Sequence, residues 1–104
     1  IYIDLAAEEA IAAEKAGRKI AVEVKSFASG STIYEFHTAL GQFLNYRIAL
    51  EVSEEPDRIL FLAVPRDVYQ TFLRFDPAKT AIDRYDVQLI IYNPDREVIE
   101  QWTE

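Results

Sequence analysis

The sequence predicts a mixed α/β domain in which helices flank a central sheet. A run of apolar residues over 58–64 is typical of a buried central strand. Apolar residues recur over 32–50 with the spacing of one helix face, and shorter segments near both ends of the chain alternate as half-buried strands do. With 104 residues, 50% of them hydrophobic, the chain fits a single domain over residues 1–104.

Three strands are predicted before the long helix. Asp4 lies in the first, an alternating segment with two isoleucines. Gly17 is able to adopt a positive φ angle, which favours a β-hairpin between the segments on either side of it. The alanine-rich run 5–13 leaves a helix open as an alternative for the first hairpin arm. The predicted strands span residues 1–5, 10–15 and 18–26.

The second hairpin arm places two charged side chains together. Because successive side chains of a strand point to opposite faces, Glu23 and Lys25 share one face while Val24 points toward the core. An ion pair on a solvated edge strand is the common explanation for such a pair. The alternative is a functional site that uses both the Glu23 carboxylate and the Lys25 ammonium group.

A long helix is predicted after the polar loop 28–31. Thr32 and Glu35 have the pattern of a capping box, so the helix is expected to begin at Thr32 and to end near Leu50. The acidic segment 54–57, which contains a proline, follows it. The stripe expected to pack on the sheet consists of Ile33, Phe36, Leu40, Phe43, Leu44 and Ile48.

The rest of the sequence predicts a short helix and two more strands. Pro65 is typical of a helix start, and apolar residues at helical spacing continue to Leu73. Residues 74–85 are polar and give no clear prediction. A strand over 87–92 and an antiparallel partner over 97–102 are separated by an Asn-Pro-Asp turn.

Composition excludes several kinds of site. Without cysteine the chain has no disulfide, thiolate metal site or cysteine nucleophile, and it fits a reducing cytoplasm. No apolar stretch approaches the roughly 20 residues of a membrane helix, so we expect a soluble protein without a membrane partner. The net charge of −7 argues against a general nucleic-acid binder. The acidic surplus lies in residues 51–104, with twelve acids and six bases, whereas residues 1–50 have six acids and five bases.

A carboxylate in the first strand extends the charged pair into a candidate metal site. Asp4 lies 19 residues before Glu23, and neighbouring strands would bring the two carboxylates together. With the backbone carbonyl of Val24 they would offer the oxygen ligands that Mg²⁺ or Mn²⁺ prefers. Gln42 and Tyr46 are four residues apart on the predicted helix and therefore share one side of it.

The order of these residues resembles the signature of PD-(D/E)XK nucleases. An aspartate is followed by Glu23-Val24-Lys25 on the next core strand of a hairpin. Gln42-x-x-x-Tyr46 on the following helix is similar to a motif of the RecB-like branch. The proline that precedes the aspartate in the signature is replaced by isoleucine, a substitution that such nucleases commonly tolerate.

Longer segments resemble the XisH family over essentially the whole chain. The resemblance rests on residues 3–8, 11–27, 39–47 and 62–65. That family is associated with excision of the fdxN element during heterocyst development in cyanobacteria. Its members begin with an additional segment that includes a helix. Because this sequence lacks that helix and opens without Met inside a predicted strand, we expect an N-terminal segment to be missing.

The resemblance implies a restriction-endonuclease-like fold and metal-dependent hydrolysis of phosphodiesters. Asp4, Glu23 and the Val24 carbonyl would hold the Mg²⁺ or Mn²⁺ ion. Lys25 would orient or deprotonate the attacking water, and the glutamine and tyrosine of the helix would position Lys25 or the substrate. The alternative is a regulatory protein that uses the nuclease-like fold to bind a protein partner of the excision machinery. DNA, such a protein and a second copy of the chain are the expected partners.

Other polar and aromatic residues have simpler explanations. Glu14 rivals Asp4 for the first acidic position, but a cross-strand ion pair in the hairpin is the favoured interpretation. His37, the only histidine, is interpreted as a surface or half-buried helix residue. Arg47 would either contact phosphate or be solvated, and Trp102 would either complete the core or contribute to a partner surface. Three glycines provide no phosphate-binding loop.

Overall fold

The strands and helices of the chain are taken from a computed structural model, which describes residues 10–15 and 17–103, with side chains from residue 17 onward. The strands are β1 (Ala10–Lys15), β2 (Arg18–Val24), β3 (Ile59–Pro65), β4 (Gln88–Asn93) and β5 (Val98–Trp102). The helices are α1 (Thr32–Glu51), α2 (Arg66–Val68), which continues into a π-helical turn (Tyr69–Leu73), and α3 (Ala78–Arg84). None of these helices is long and apolar enough to cross a membrane.

The strands form one mixed sheet in the order β1-β2-β3-β4-β5. β1 and β2 are the antiparallel arms of the predicted hairpin, and Gly17 in its turn has a φ angle of 79°. β2, β3 and β4 run parallel to one another, and β5 runs antiparallel to β4. The mixed sheet is therefore confirmed, and residues 10–13 form a strand and not the alternative helix. The predicted strand 1–5 lies outside the described residues.

Each face of the sheet carries a buried cluster. On one face, α1 lies across β3 and contributes Phe36, Ala39 and Phe43 to a core shared with the π-helical turn and α3. On the other face, the Trp102 ring packs edge-on against Phe61, with ring centroids 5.2 Å apart. Trp102 therefore completes the core. The buried residues of this second face are Ile20, Val22, Val24, Phe61, Ala63, Ile90 and Tyr92.

The start of α1 differs from the capping-box prediction by one residue. Ser31 is the N-cap, because its hydroxyl accepts a hydrogen bond from the Tyr34 N–H at 3.3 Å. Thr32 is already the first helical residue, and the Glu35 N–H bonds to the carbonyl of Ser31. The predicted N-cap at Thr32 is therefore wrong, although the predicted span of the helix is nearly right.

The buried stripe of α1 is narrower than predicted. Ile33 and Ile48 are exposed, whereas Ala39, which was not in the predicted stripe, is fully buried. Ile48 follows Phe43 by five residues, which turns its side chain about 140° away from the sheet. Apolar spacing alone therefore overestimates how much of the helix surface the sheet covers.

α3 lies within residues 74–85, the polar segment whose structure was not predicted. Only Ala78 and Ile82 of this helix are buried, so it has too short an apolar stripe to stand out in the sequence. Polar contacts stabilise it instead. The Asp76 carboxylate accepts the Thr80 N–H at 3.1 Å, and Lys79 pairs with Asp83 at 2.6 Å.

Candidate functional site

Glu23 is a carboxylate buried in the middle of the sheet. On β2 it lies between Ala10 of β1 and Leu62 of β3, and its residue is only 2% exposed. Ala21, two positions earlier, packs in the core beneath α1, so the Glu23 side chain points to the same helix-covered face. Neither Oε1 nor Oε2 of Glu23 accepts a hydrogen bond from a described residue. A buried carboxylate without donors is unfavourable unless it binds a cation or a proton.

Lys25 supplies a positive charge beside this carboxylate. Its Nζ lies 3.8 Å from Glu23 Oε1, which is an ion pair but too long for a hydrogen bond. Burial raises the pKa of Glu23 to about 7, although the Lys25 ammonium group acts in the opposite direction. The carboxyl group is therefore close to half-protonated at neutral pH.

The backbone of Lys25 is fixed from two sides. Its N–H donates to the carbonyl of Ala63 on β3 at 3.0 Å. Its carbonyl accepts a hydrogen bond from the Tyr92 hydroxyl of β4 at 2.9 Å, and Tyr92 is completely buried. Two residues later, Phe27 adopts a φ angle of 54° and turns its side chain into the core. The backbone at Lys25, directly after β2, is therefore tied to both β3 and β4.

Tyr92 is a residue that the sequence did not single out. It is the penultimate residue of β4, whose other buried positions are aliphatic except for Asn93 at the end, and a buried tyrosine hydroxyl requires a hydrogen-bond partner. From this requirement alone, a hydrogen bond of the Tyr92 hydroxyl could have been predicted from the sequence. The partner itself could not be read from the sequence, because 67 residues separate Tyr92 from Lys25.

The two predicted acidic rivals lie wholly or partly outside the described structure. Asp4 is outside the described residues. Glu14 is described only by its backbone, which pairs with Lys19 across the hairpin, as the predicted cross-strand pairing requires. Within the part of the chain that is described, no group of three or more histidine, aspartate and glutamate side chains is arranged to hold a metal ion. That part contributes one carboxylate, Glu23, to the candidate site.

Gln42 and Tyr46 lie on the side of α1 that faces β2. Arg47, on the other side of the helix, donates to the carbonyls of Tyr85 at 2.7 Å and Asp86 at 3.1 Å, just before β4. The buried Phe43 lies between the two sides. β2 and β4 lie on opposite sides of β3. Because Arg47 reaches toward β4, the other side of α1, which carries Gln42 and Tyr46, is directed toward β2. Both side chains are exposed, and neither makes a hydrogen bond to a described residue.

Two further predictions concern α1. Arg47 is partly exposed, donates to the two carbonyls before β4, and places its guanidinium carbon 5.2 Å from the centre of the Phe43 ring. Contact of Arg47 with phosphate stays a prediction. His37 is an exposed helix residue beside Phe36, as predicted.

Comparison with known proteins identifies the family. The sequence matches the model of the family described as XisH protein over residues 1–100. An XisH family protein from Nostoc punctiforme PCC 73102 is 53% identical and an fdxN element excision controlling factor protein from Anabaena variabilis is 54% identical. Each structure matches 91% of this chain and 74% of its own, with a TM-score of 0.84. No curated protein matches the chain. This chain belongs to the XisH family.

Proposed function

We propose that this chain is an excision-controlling factor with a nuclease-type site that hydrolyses phosphodiesters with the help of Mg²⁺ or Mn²⁺. The observation that carries the proposal is Glu23, which is buried, receives no hydrogen bond from the part of the chain that the structure describes, and lies two residues before Lys25. The relative from Anabaena variabilis is an fdxN element excision controlling factor, which supports a role in excision of such a DNA element, in the cyanobacterial heterocyst context of the family.

The chemistry of the donor set fits a hard divalent cation. Asp4, Glu23 and the Val24 carbonyl would hold it, and all three offer oxygen atoms. When bound, the ion lowers the pKa of a coordinated water and neutralises charge that develops on the phosphate. The unpartnered oxygens of Glu23 support this assignment, since a structural carboxylate in the same position would be expected to accept hydrogen bonds.

Lys25 has the role of placing positive charge next to the scissile phosphate. Its ammonium group orients the attacking water and stabilises the negative charge of the transition state. The two backbone hydrogen bonds at Lys25 support this role, because they fix the position of the backbone from which the Lys25 side chain extends. Gln42 and Tyr46, on the β2 side of α1, position Lys25 or the substrate. The parallel and antiparallel strands of the sheet, covered by α1, are compatible with a restriction-endonuclease-like fold.

A regulatory protein without catalytic activity is the second candidate. The net charge of −7 favours it, because non-specific affinity for DNA comes mainly from lysine and arginine. In that case the Glu23 and Lys25 pair would hold a metal ion or a proton for stability. The nuclease-like fold would then bind a protein of the excision machinery.

Cleavage of DNA in Mg²⁺ by the wild type and by Lys25→Ala separates the two candidates. Wild type is expected to cleave, and Lys25→Ala and Asp4→Ala are expected to lose the activity with folding unchanged. Lys79→Ala is the matched control, because it removes another ion-paired lysine from an exposed helix. Equal cleavage by wild type and Lys25→Ala would contradict the proposal. Metal binding without cleavage by the wild type would favour the regulatory candidate.

A further inference from the structure

Arg66 lies at the same edge of the sheet as Lys25. β2 and β3 run parallel, and the Lys25 N–H donates to the carbonyl of Ala63, three residues before Arg66. Each of the two cations directly follows the last residue of its strand, Val24 in β2 and Pro65 in β3. Sheets with parallel strands bind their ligands outside this carboxyl edge. The fold therefore places Arg66 beside the candidate site, although the two are far apart in the sequence.

The Arg66 guanidinium also lies on the face of the sheet on which α1 packs. Its Nη1 atom is 3.1 Å from Glu100 Oε2, and the same oxygen accepts from Asn93 Nδ2 at 3.4 Å. Asn93 alternates along β4 with Leu89 and Ile91, which belong to the core beneath α1. The charged pair of β2 points to this face as well. Arg66 and the candidate site therefore share both an edge and a face of the sheet.

A β-bulge in β5 lies at the residue that binds Arg66. Ile91 of β4 pairs with Gln101 of β5. The next residue of β4 pairs with Ile99, so Glu100 is an extra residue in β5. Bulges re-aim a side chain and are over-represented next to active sites. The regular pairing of the sheet is therefore interrupted where Glu100 holds the arginine.

Glu100 occupies only one nitrogen of the Arg66 guanidinium. Nη1 lies 3.2 and 3.1 Å from the two Glu100 oxygens, whereas Nε and Nη2 donate to no residue in the described part of the chain. The two side chains are 44% and 34% exposed, and ion pairs exposed to this degree contribute little to stability. Nε and Nη2 together form the planar fork with which arginine binds two oxygens of one phosphate.

Two arginines near the opposite edge of the sheet differ from Arg66 in their contacts. Arg58, just before β3, binds Glu55 and the carbonyl of Ile20, and its side chain is only 10% exposed. Arg47 donates to two backbone carbonyls just before β4. Because the whole chain has a net charge of −7, it can hold a DNA phosphate only where cations lie close together. Arg66 and Lys25 form such a local group.

We propose that Arg66 binds a phosphate of the DNA substrate next to the phosphate that Lys25 faces. This inference rests on the proposed function, because it takes a DNA strand as the ligand. The Nε and Nη2 fork binds two non-bridging oxygens of that phosphate, while Glu100 holds Nη1 and so fixes the plane of the guanidinium. The contact sets the position of the strand in the site and takes no part in the chemical step.

Fluorescence anisotropy with a short labelled DNA duplex tests this contact. The titrations are made without divalent metal, so that the duplex is not cleaved, and over a range of salt concentrations. Arg66→Ala is expected to weaken binding roughly tenfold and to reduce the slope of log affinity against log salt concentration by about one. Arg84→Ala is the matched control, because it removes the same charge from an exposed position at the end of α3, and it should leave the slope unchanged.

Arg66→Lys separates the charge of Arg66 from its shape. Lysine keeps the positive charge but not the fork, so this variant should keep the wild-type salt slope and bind the duplex more weakly.

Cleavage kinetics in Mg²⁺ separate the Arg66 contact from catalysis. Arg66→Ala should raise KM roughly tenfold and leave kcat unchanged, whereas Lys25→Ala should lose kcat. Duplex binding that Arg66→Ala weakens, without cleavage by the wild type, would contradict the nuclease function but support the Arg66 contact. A wild type that binds no duplex, or equal losses of affinity and slope in Arg66→Ala and Arg84→Ala, would overturn the contact.

Discussion

Glu23 is deeply buried, and its carboxylate receives no hydrogen bond from residues 17–103. It is 2% exposed, and the Lys25 ammonium group lies 3.8 Å from its Oε1 atom. At this separation the pair gains Coulomb energy but no hydrogen bond, so the desolvation of the carboxylate is only partly offset. The unfolded chain does not have this cost. The residue therefore destabilises the metal-free fold whenever it is ionised.

The pH dependence of stability follows from the pKa of Glu23. Burial raises it from 4.5 to about 7, so protonated Glu23 favours the folded state. That contribution is fully present below pH 4.5 and is lost as the pH rises through 7. Without divalent metal, Glu23→Gln should raise the free energy of unfolding by about 2 to 3 kcal/mol at pH 8.5, but by little at pH 4.5. Urea unfolding at both pH values measures the difference.

An exposed glutamate provides the control for this pH dependence. Glu51→Gln makes the same chemical change at the exposed end of α1 and should alter stability little at either pH. If Glu23→Gln changed stability equally at pH 4.5 and pH 8.5, the raised pKa of Glu23 would be wrong.

The Tyr92 hydroxyl is expected to hold the backbone of Lys25 in place. Tyr92→Phe removes the hydrogen bond to the Lys25 carbonyl and should lower stability by about 1 kcal/mol. It should also accelerate hydrogen exchange of the Lys25 amide, which NMR measures residue by residue. Thr103→Val is the control, because it removes a similar bond to the Leu89 N–H elsewhere in the sheet. Equal exchange at Lys25 in the two variants would show that Tyr92 does not hold this backbone.

At the level of elements, patterns with a strong period were predicted and weak ones were not. The hairpin, α1, β3, β4 and β5 follow from alternation, helical spacing or an unbroken apolar run. α3 could not be predicted, because a seven-residue helix with two buried positions has no stripe to detect. The N-cap of α1 was placed one residue late, because Ser31 and Thr32 are both good capping residues and only the backbone decides between them.

The corrected N-cap has a direct test. Ser31→Ala removes the acceptor of the Tyr34 N–H and should destabilise the fold by about 1 kcal/mol. Thr32→Ala removes the neighbouring hydroxyl, in the first helical turn, and should destabilise the fold clearly less than Ser31→Ala does. Chemical denaturation of both variants compares them. A larger loss for Thr32→Ala would restore the original capping assignment.

For the whole molecule, the sequence predicted which residues are neighbours along β2 but not how deeply they lie. Strand alternation places Glu23 and Lys25 on one face, and the structure brings them together. Glu23 is flanked by β1 and β3 and lies on the sheet face on which α1 packs, a setting that only the complete fold determines. The predicted role of Asp4 stays a prediction, because it depends on a contact between distant strands. The same holds for Gln42 and Tyr46, whose side of α1 is directed toward β2.

The central claim is that Glu23 belongs to a divalent metal centre, and calorimetric titration with Mn²⁺ tests it most directly. At pH 8, wild type is expected to bind one ion, and Glu23→Gln and Asp4→Asn are expected to lose most of that affinity. At pH 6 the wild-type affinity should fall roughly tenfold, since protons compete at a carboxyl group whose pKa is about 7. Wild-type binding that Glu23→Gln leaves intact, or no binding by the wild type at all, would contradict the claim.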